Sequence, residues 1–154
     1  MLVCAVELKG REAILSLLSL DGGAFVVPNC RQRLFTVSPS ETVESMRDFS
    51  FAFAKLMEDY KVEEVVVIER EQKGKFMGSA TSFKLEAVIQ LLDMPVNMIS
   101  TSQVKAQISR NPVQVDFNTL DLKKFQKPAF SAAYAYLNLQ RYGDPNAELE
   151  SDAE

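Results

Sequence analysis

Residues 65–68 form an uninterrupted β-branched run, Val-Val-Val-Ile, which follows a predicted helix and precedes a polar Glu-Arg-Glu sequence. A continuous apolar run of this length is typical of a strand buried on both faces, as in parallel sheets that helices cover. A parallel strand also needs a crossover connection to its neighbour, and that connection is usually an α-helix. The run therefore predicts an α/β fold with a covered sheet.

The N-terminal part of the chain predicts antiparallel strands. Apolar runs at residues 2–8 and 13–20 flank a Lys-Gly-Arg break, which indicates a β-hairpin. An Asp-Gly-Gly turn signal follows the second run, and residues 24–27 and 33–37 continue in extended form. We therefore predict a three-stranded antiparallel meander.

Two capping boxes mark predicted helix starts. Ser38 and Glu41 have the required spacing, and Pro39 between them suits the first helical position. Ser100 and Gln103 repeat the spacing further along the chain. We expect one helix to begin after Ser38 and another after Ser100.

Hydrophobic periodicity completes the order of elements. Residues 94–99 predict a fifth strand, residues 128–142 predict the last helix, and residues 113–126 show no clear pattern. The helix between the fourth and fifth strands is expected to bury one apolar face, formed by Phe83, Ala87, Val88, Leu91 and Leu92. The result is a mixed five-stranded sheet, three antiparallel and two parallel strands, with the first strand central and helices on both faces.

Composition excludes several kinds of chemistry. The chain contains no histidine, and its two cysteines are Cys4 and Cys30, so the usual Cys/His zinc sites and every imidazole base are excluded. Both cysteines lie in or beside predicted strands, where free thiols are expected rather than a disulfide. With no export signal and no apolar run of membrane-spanning length, the sequence predicts a cytoplasmic protein without membrane contact.

Charge is distributed unevenly along the chain. The formal net charge is −4, but five of the 21 acidic residues follow Gly143, so residues 1–143 carry 17 basic and 16 acidic residues. We predict a domain at 1–143 followed by a disordered acidic tail at 144–154. A nearly neutral domain gives no bulk electrostatic argument for nucleic acid and none against a local basic patch.

Two glutamates follow apolar strands. Glu7 lies near the end of the first strand and Glu69 directly follows residues 65–68. Ligands of open α/β sheets favour the carboxyl ends of strands near a switch in topology. Glu7 is therefore a candidate site residue, the alternative being a salt bridge to Lys9 or Arg70, because an unpaired buried charge is costly. Glu69 has a plainer alternative, since polar residues commonly end buried strands.

A short loop after Glu69 combines glycine with lysine. Lys73 and Lys75 flank Gly74 and precede a predicted helix N-terminus, a geometry that suits phosphate. The alternative is a flexible surface loop that binds nothing.

The order of elements, with Glu7 on the first strand and Glu69 after Val67 and Ile68, resembles the RNase-H-like superfamily. Within it the chain is similar to the RuvC-type Holliday-junction resolvases. The segments 74–87 and 100–105 are also similar to resolvase segments. The sequence as a whole looks similar to a bacterial family described as a domain of unknown function.

This resemblance implies a nuclease site. Such enzymes hold two divalent ions roughly 4 Å apart for phosphodiester cleavage, which here would be Mg²⁺ or Mn²⁺. The resemblance assigns Glu7 and Glu69 as catalytic residues and metal ligands. The predicted nucleic-acid contacts are Lys9, Arg70, Lys73, Lys75 and Lys127.

The sequence departs from the family pattern at the final acids. The family places them on its last helix, yet residues 127–131 read Lys-Pro-Ala-Phe-Ser. The first acid is also glutamate, where the family normally has aspartate. If a lysine such as Lys127 takes the place of the missing acid, its ammonium could neutralise the glutamates, and we therefore predict weak or absent Mg²⁺ binding. Asp116 or Asp121 would be the alternative ligands.

Three functions stay open. The preferred one is an RNase-H-like protein with a degenerate nuclease site that binds nucleic acid. The second is an active nuclease dependent on Mg²⁺ or Mn²⁺, and the third is a noncatalytic domain that binds a protein partner. A homo-oligomer is compatible with each of them.

Overall fold

The computed structural model describes residues 1–21, 24–40 and 42–143. In these ranges six strands form one sheet: β1 Leu2–Lys9, β2 Glu12–Asp21, β3 Ala24–Val26, β4 Leu34–Thr36, β5 Glu64–Ile68 and β6 Val96–Ile99. The helices are α1 Val43–Asp59, α2 Ala80–Gln90, α3 Thr101–Arg110 and α4 Lys127–Tyr142. Two short 3-10 turns, Phe117–Thr119 and Lys124–Gln126, lie between α3 and α4.

The sheet is mixed, with β1 inside it. The strand order is β3-β2-β1-β5-β6, and β4 pairs with β2 as well. Strand β1 is antiparallel to β2 and parallel to β5, which is in turn parallel to β6. The predicted mixed sheet with an interior first strand is therefore confirmed, and so is the parallel strand at 65–68.

The third predicted strand is interrupted. Strand β3 pairs with the end of β2 at Ser19–Asp21, while β4 pairs with its beginning at Glu12–Ile14. Between them the chain leaves the sheet, and Leu15 N–H donates to the Arg33 carbonyl at 2.9 Å. The sheet consequently has six strands instead of the predicted five.

Helices cover both faces of the sheet, as predicted. Cys4 and Val6 in β1 face α1 and α2, where they pack in a cluster with Phe53. Val3 and Ala5, which alternate with them, face the other way and pack in a cluster with α4. Strand β5 is buried on both faces in the same way from Val65 to Ile68, which accounts for its continuous β-branched sequence.

The predicted start of the first helix is wrong. Helix α1 begins at Val43, and its N-cap is Thr42, whose hydroxyl accepts from Ser45 N–H at 3.1 Å. The Ser45 hydroxyl accepts in return from Thr42 N–H at 2.8 Å, which completes a capping box. Ser38 instead hydrogen-bonds Ser40, and the predicted partner Glu41 lies outside the described residues.

The predicted buried face of α2 also needs correction. The residues that α2 buries are Ser82, Leu85 and Ile89, while Ala87 and Leu91 are exposed. The apolar stripe is displaced because the helix starts at Ala80 and turns Leu85, not its neighbours, toward the sheet. Val88 and Leu92 are partly buried at the margin of this contact.

Two other predictions are confirmed, the cap of α3 and the free thiols. Ser100 caps α3, with Gln103 completing the capping box. Cys4 and Cys30 are free thiols. Within the described ranges, none of the helices has the length and apolarity required to span a bilayer. The predicted tail at 144–154 lies outside the described residues.

Candidate functional site

Three parts of the chain meet at the carboxyl ends of β1 and β5. They are the β1–β2 turn, the loop from Glu69 to Ser79, and the first turn of α4. The Ser79 hydroxyl donates to the Gly10 carbonyl at 2.7 Å, which joins the start of α2 to the β1–β2 turn. Gln126 Nε2 donates to the Leu15 carbonyl at 2.8 Å, which holds the start of α4 against β2.

Glu7 lies half-buried in β1, opposite Ile14 of β2. Strand alternation places its side chain on the α3 and α4 face with Ala5. Burial raises the pKa of the Glu7 carboxyl above its usual value, and the charge of Lys9 partly opposes this shift. Among the described residues, the ion pairs within 4 Å do not include Glu7, so the alternative of a salt bridge to Lys9 or Arg70 is wrong.

Glu69 is exposed and is the first residue after β5. Its N–H donates to the Ile99 carbonyl at 2.8 Å. Val6 is level with Val67, so Glu7 is level with Ile68 and both glutamates reach the same edge of the sheet. If β5 continued, strand alternation would turn the Glu69 side chain to the opposite face of the sheet from Glu7. Because β5 ends at Ile68, alternation does not fix the direction of the Glu69 side chain. A joint role for the two carboxylates stays a prediction.

Arg70 points into the protein, with 11% of its side chain exposed. Its guanidinium donates to the Ile68 carbonyl at 3.0 Å and to the Ser82 hydroxyl at 3.1 Å. It also pairs with Glu86 at 3.3 Å and lies 4.6 Å from the centre of the Phe83 ring. Arg70 therefore anchors the loop to α2, and we assign it the role of holding this loop in position.

Gly78 allows this anchor to form. A Cβ at this position would lie 2.9 Å from Ser82 Oγ and 3.0 Å from Arg70 Nε, closer than such contacts normally occur. Gly78 N–H also donates to the Glu71 carbonyl at 2.8 Å and closes the loop. Sequence reasoning missed this set of contacts, because its members are up to 16 residues apart and share no local pattern.

The loop closed by Gly78 exposes basic and aromatic side chains together. Lys73 and Lys75 are exposed on either side of Gly74, whose φ of +93° favours glycine. Phe76 is 82% exposed, and the Lys75 ammonium lies 5.8 Å from the centre of its ring. Phe76 was missed from the sequence, although an aromatic residue directly after a lysine in a glycine-containing loop is a signal that could have identified it.

The first turn of α4 contains no acidic residue. Lys127 is exposed there, and its ammonium lies 5.9 Å from the centre of the Phe117 ring. It forms no ion pair with Glu7 within the described part of the chain, so the predicted neutralisation of the glutamates by direct contact is wrong. A long, exposed side chain at the helix start finds the neighbouring aromatic ring and solvent instead.

The alternative acids have other partners. Asp116 accepts from Asn118 N–H at 3.0 Å, which caps a 3-10 turn. Asp121 pairs with Arg33 at 3.4 Å. Across residues 1–21, 24–40 and 42–143, no three acidic or cysteine side chains are grouped as a metal site would require. The use of Glu7 and Glu69 by a single Mg²⁺, together with water and phosphate, stays a prediction.

Comparison with known proteins supports both the family and the fold. The model of the family "Protein of unknown function (DUF3010)" matches residues 1–136. The structure of Thermus thermophilus RuvC is similar over 94% of this chain and 98% of that chain, with a TM-score of 0.73 and 15% identity. T. thermophilus RuvC in complex with a Holliday junction substrate gives 93% and 97% coverage, a TM-score of 0.72 and 15% identity. No curated protein matches the sequence. The fold is therefore RNase-H-like.

Proposed function

The chain belongs to the DUF3010 family and has an RNase-H-like fold, and from this premise we propose that it binds nucleic acid at the carboxyl end of its sheet without cleaving it. One observation carries the proposal. Exposed lysines at this end come from three separate segments, namely Lys9, Lys73 with Lys75, and Lys127. The Lys75 ammonium lies beside the exposed ring of Phe76.

These side chains suit a phosphodiester backbone. Lysine ammonium groups neutralise phosphates and release condensed counterions, which supplies most of the affinity in binding without sequence preference. An exposed aromatic ring adds stacking with unpaired bases. The T. thermophilus RuvC structure with a Holliday junction supports this proposal by analogy of fold, since 15% identity carries no residue roles.

Two features support binding without cleavage. The first turn of α4 lacks the acids of the resolvase pattern. Glu7 is half-buried and its carboxyl has a raised pKa, so it favours the protonated form more than a solvated carboxylate does. Glu7 and Glu69 together would bind at most one Mg²⁺ ion weakly, whereas two-metal cleavage needs carboxylates that neutralise both ions.

The test measures binding and cleavage in the same samples. Purified protein is incubated with a four-way DNA junction, linear DNA and an RNA–DNA hybrid, in Mg²⁺, in Mn²⁺ and in EDTA. We expect retarded complexes under all three conditions and intact strands throughout. Glu7→Gln should bind at least as well as the wild type, because it removes a negative charge from the interface.

Cleavage that requires Mg²⁺ or Mn²⁺ and disappears in Glu7→Gln would contradict the proposal and establish the active nuclease instead. Calorimetry gives an independent check, since tight Mg²⁺ binding that is lost in Glu7→Gln would also argue for a working metal site.

One observation favours the protein-binding alternative. Val43 and Leu91 are 67% and 84% exposed, and both line a groove of about 530 Å³ between α1 and α2. Exposed apolar side chains that line a common groove are typical of interaction surfaces. If the chain showed no salt-dependent affinity for any nucleic acid, this groove would become the leading candidate for function.

A further inference from the structure

A second cavity, of about 300 Å³, lies between β2, β3, α4 and the segment before the first 3-10 turn. Its floor consists of Leu18, Phe130 and Tyr134, which are all at least 94% buried. Its mouth is formed by Gln114 and Val115, which are both exposed. The cavity is thus open to solvent at one end and apolar at the other.

The lining selects a neutral, planar ligand. Among the described residues, those that line the cavity carry no charge, so a charged group would lose its hydration there without a counter-charge. The rings of Phe25 and Tyr134 are 4.7 Å apart at 38°, and Phe130 adds a third ring. An aromatic wall binds a flat ring more strongly than it binds an aliphatic group of the same area. The Gln114 amide at the mouth can hydrogen-bond the edge of such a ring.

Aromatic contacts connect this cavity to the basic end of the molecule. The Lys127 ammonium lies 5.9 Å from the centre of the Phe117 ring, and that ring is 5.7 Å from the Phe130 ring in the cavity wall. The Lys127 ammonium is therefore separated from the cavity by the single ring of Phe117, so a nucleotide could present its base to the cavity and its phosphate to the cation.

We propose that this cavity receives one unpaired nucleobase, while Lys127 contacts the adjoining phosphate. The proposal rests on the proposed function and extends it to single-stranded or distorted nucleic acid. The volume of about 300 Å³ is at the lower end of the range for small-molecule sites, and it is large enough for one base. The base could come from a strand or from a free nucleoside.

The experiment uses methyl NMR of the full chain. Methyl groups of Leu18, Val27 and Val113 line the cavity, and ring currents from a bound base should shift their signals. Two probes are added separately, 2′-deoxyadenosine and a single-stranded oligodeoxyadenylate. We expect both to shift these methyl signals, the oligonucleotide at much lower concentration because phosphate contacts add to its affinity.

A matched pair of variants locates the effect. Val115→Phe should fill the mouth, remove the methyl shifts and weaken oligonucleotide binding about tenfold, a typical loss for one stacked base. Val26→Phe is the control, since Val26 is 51% exposed against 49% for Val115 and does not line the cavity. It should behave as the wild type.

The outcomes separate this proposal from the function on which it rests. Oligonucleotide binding without shifts of the cavity methyl signals, or binding unaffected by Val115→Phe, would overturn the nucleobase site and leave the proposed function standing. Shifts caused by the nucleoside in a protein that binds no oligonucleotide would support a site for free bases and contradict the proposed function. If neither probe shifts the methyl signals, the nucleobase site is wrong.

Discussion

Replacing Arg70 with methionine should destabilise the fold at the base of the basic loop. The guanidinium donates to the Ile68 carbonyl at 3.0 Å and to the Ser82 hydroxyl at 3.1 Å, and it pairs with Glu86 at 3.3 Å. Arg70 and Glu86 are 11% and 18% exposed, so solvent replaces few of these interactions. Methionine keeps most of the apolar stem and removes every donor.

The expected cost follows from these contacts. Hydrogen bonds to charged groups contribute about 1.5–3 kcal/mol each, and they do not add fully when they share one side chain. The Glu86 carboxylate would also lose its counter-charge in a poorly solvated position. We expect a total loss of about 3 kcal/mol in the free energy of unfolding, which corresponds to about 6–12 °C in Tm for a chain of this size.

Thermal unfolding followed by circular dichroism checks this prediction. Arg31→Met is the control, since Arg31 pairs with Asp59 at 2.7 Å but is 54% exposed, and it should shift Tm far less. The double variant Arg70→Met/Glu86→Met should recover part of the loss, because it removes the uncompensated charge. Equal shifts for the two single variants would refute the reasoning. Weakened nucleic-acid binding at unchanged stability would mean that Arg70 contacts the ligand directly.

Three further predictions concern other parts of the fold. Burial raises the pKa of Glu7 above its usual 4.5, so the stability of the wild type should fall as the pH rises from 4.5 through the raised pKa. Thermal scans across pH 4–8 should show no such fall for Glu7→Gln, which should be more stable than the wild type at pH 7. The Tyr136 hydroxyl donates to Glu64 at 2.5 Å, so Tyr136→Phe should cost about 1–2 kcal/mol in urea unfolding. Deleting residues 144–154 should change stability by less than about 0.5 kcal/mol, and a larger loss would mean that the tail docks.

The architecture was predictable because its signals are local. The β-branched run of β5 and the alternating strand β1 each encode their burial in a few consecutive residues. The interruption between β3 and β4 was not predictable, because it depends on where each strand meets the edge of β2. The start of α1 was missed because two adjacent segments both satisfy the rules for a helix cap, and the chain uses the second.

The sequence predicts the positions of site residues on strands better than the positions of those in loops. The position of Glu7 follows from the first strand, and its edge location follows from the parallel register of β1 and β5. The inward position of Arg70 depends on Ser82 and Glu86, which lie 12 and 16 residues away. Long side chains such as arginine reach several neighbouring elements, so sequence spacing alone does not determine which one they contact.

The segment before α4 shows the same limit. Residues 113–126 have no periodic pattern because side-chain contacts, rather than a regular backbone ladder, hold them in place. The Tyr134 hydroxyl donates to the Pro112 carbonyl at 3.1 Å, and Arg33 donates to Gln126 at 2.7 Å. Both contacts join residues that are more than 20 positions apart.

The most direct test of the central claim is the salt dependence of nucleic-acid binding. The dissociation constant for linear DNA is measured at several salt concentrations for the wild type, Lys73→Gln, Lys75→Gln and the control Lys61→Gln. Lys61 is exposed at the opposite end of the sheet, just before β5. We predict a linear increase of log Kd with log salt, a slope smaller by about one in each loop variant than in the wild type, and an unchanged slope in the control. A slope near zero for the wild type, or equal slopes in all four proteins, would contradict binding at this end of the sheet.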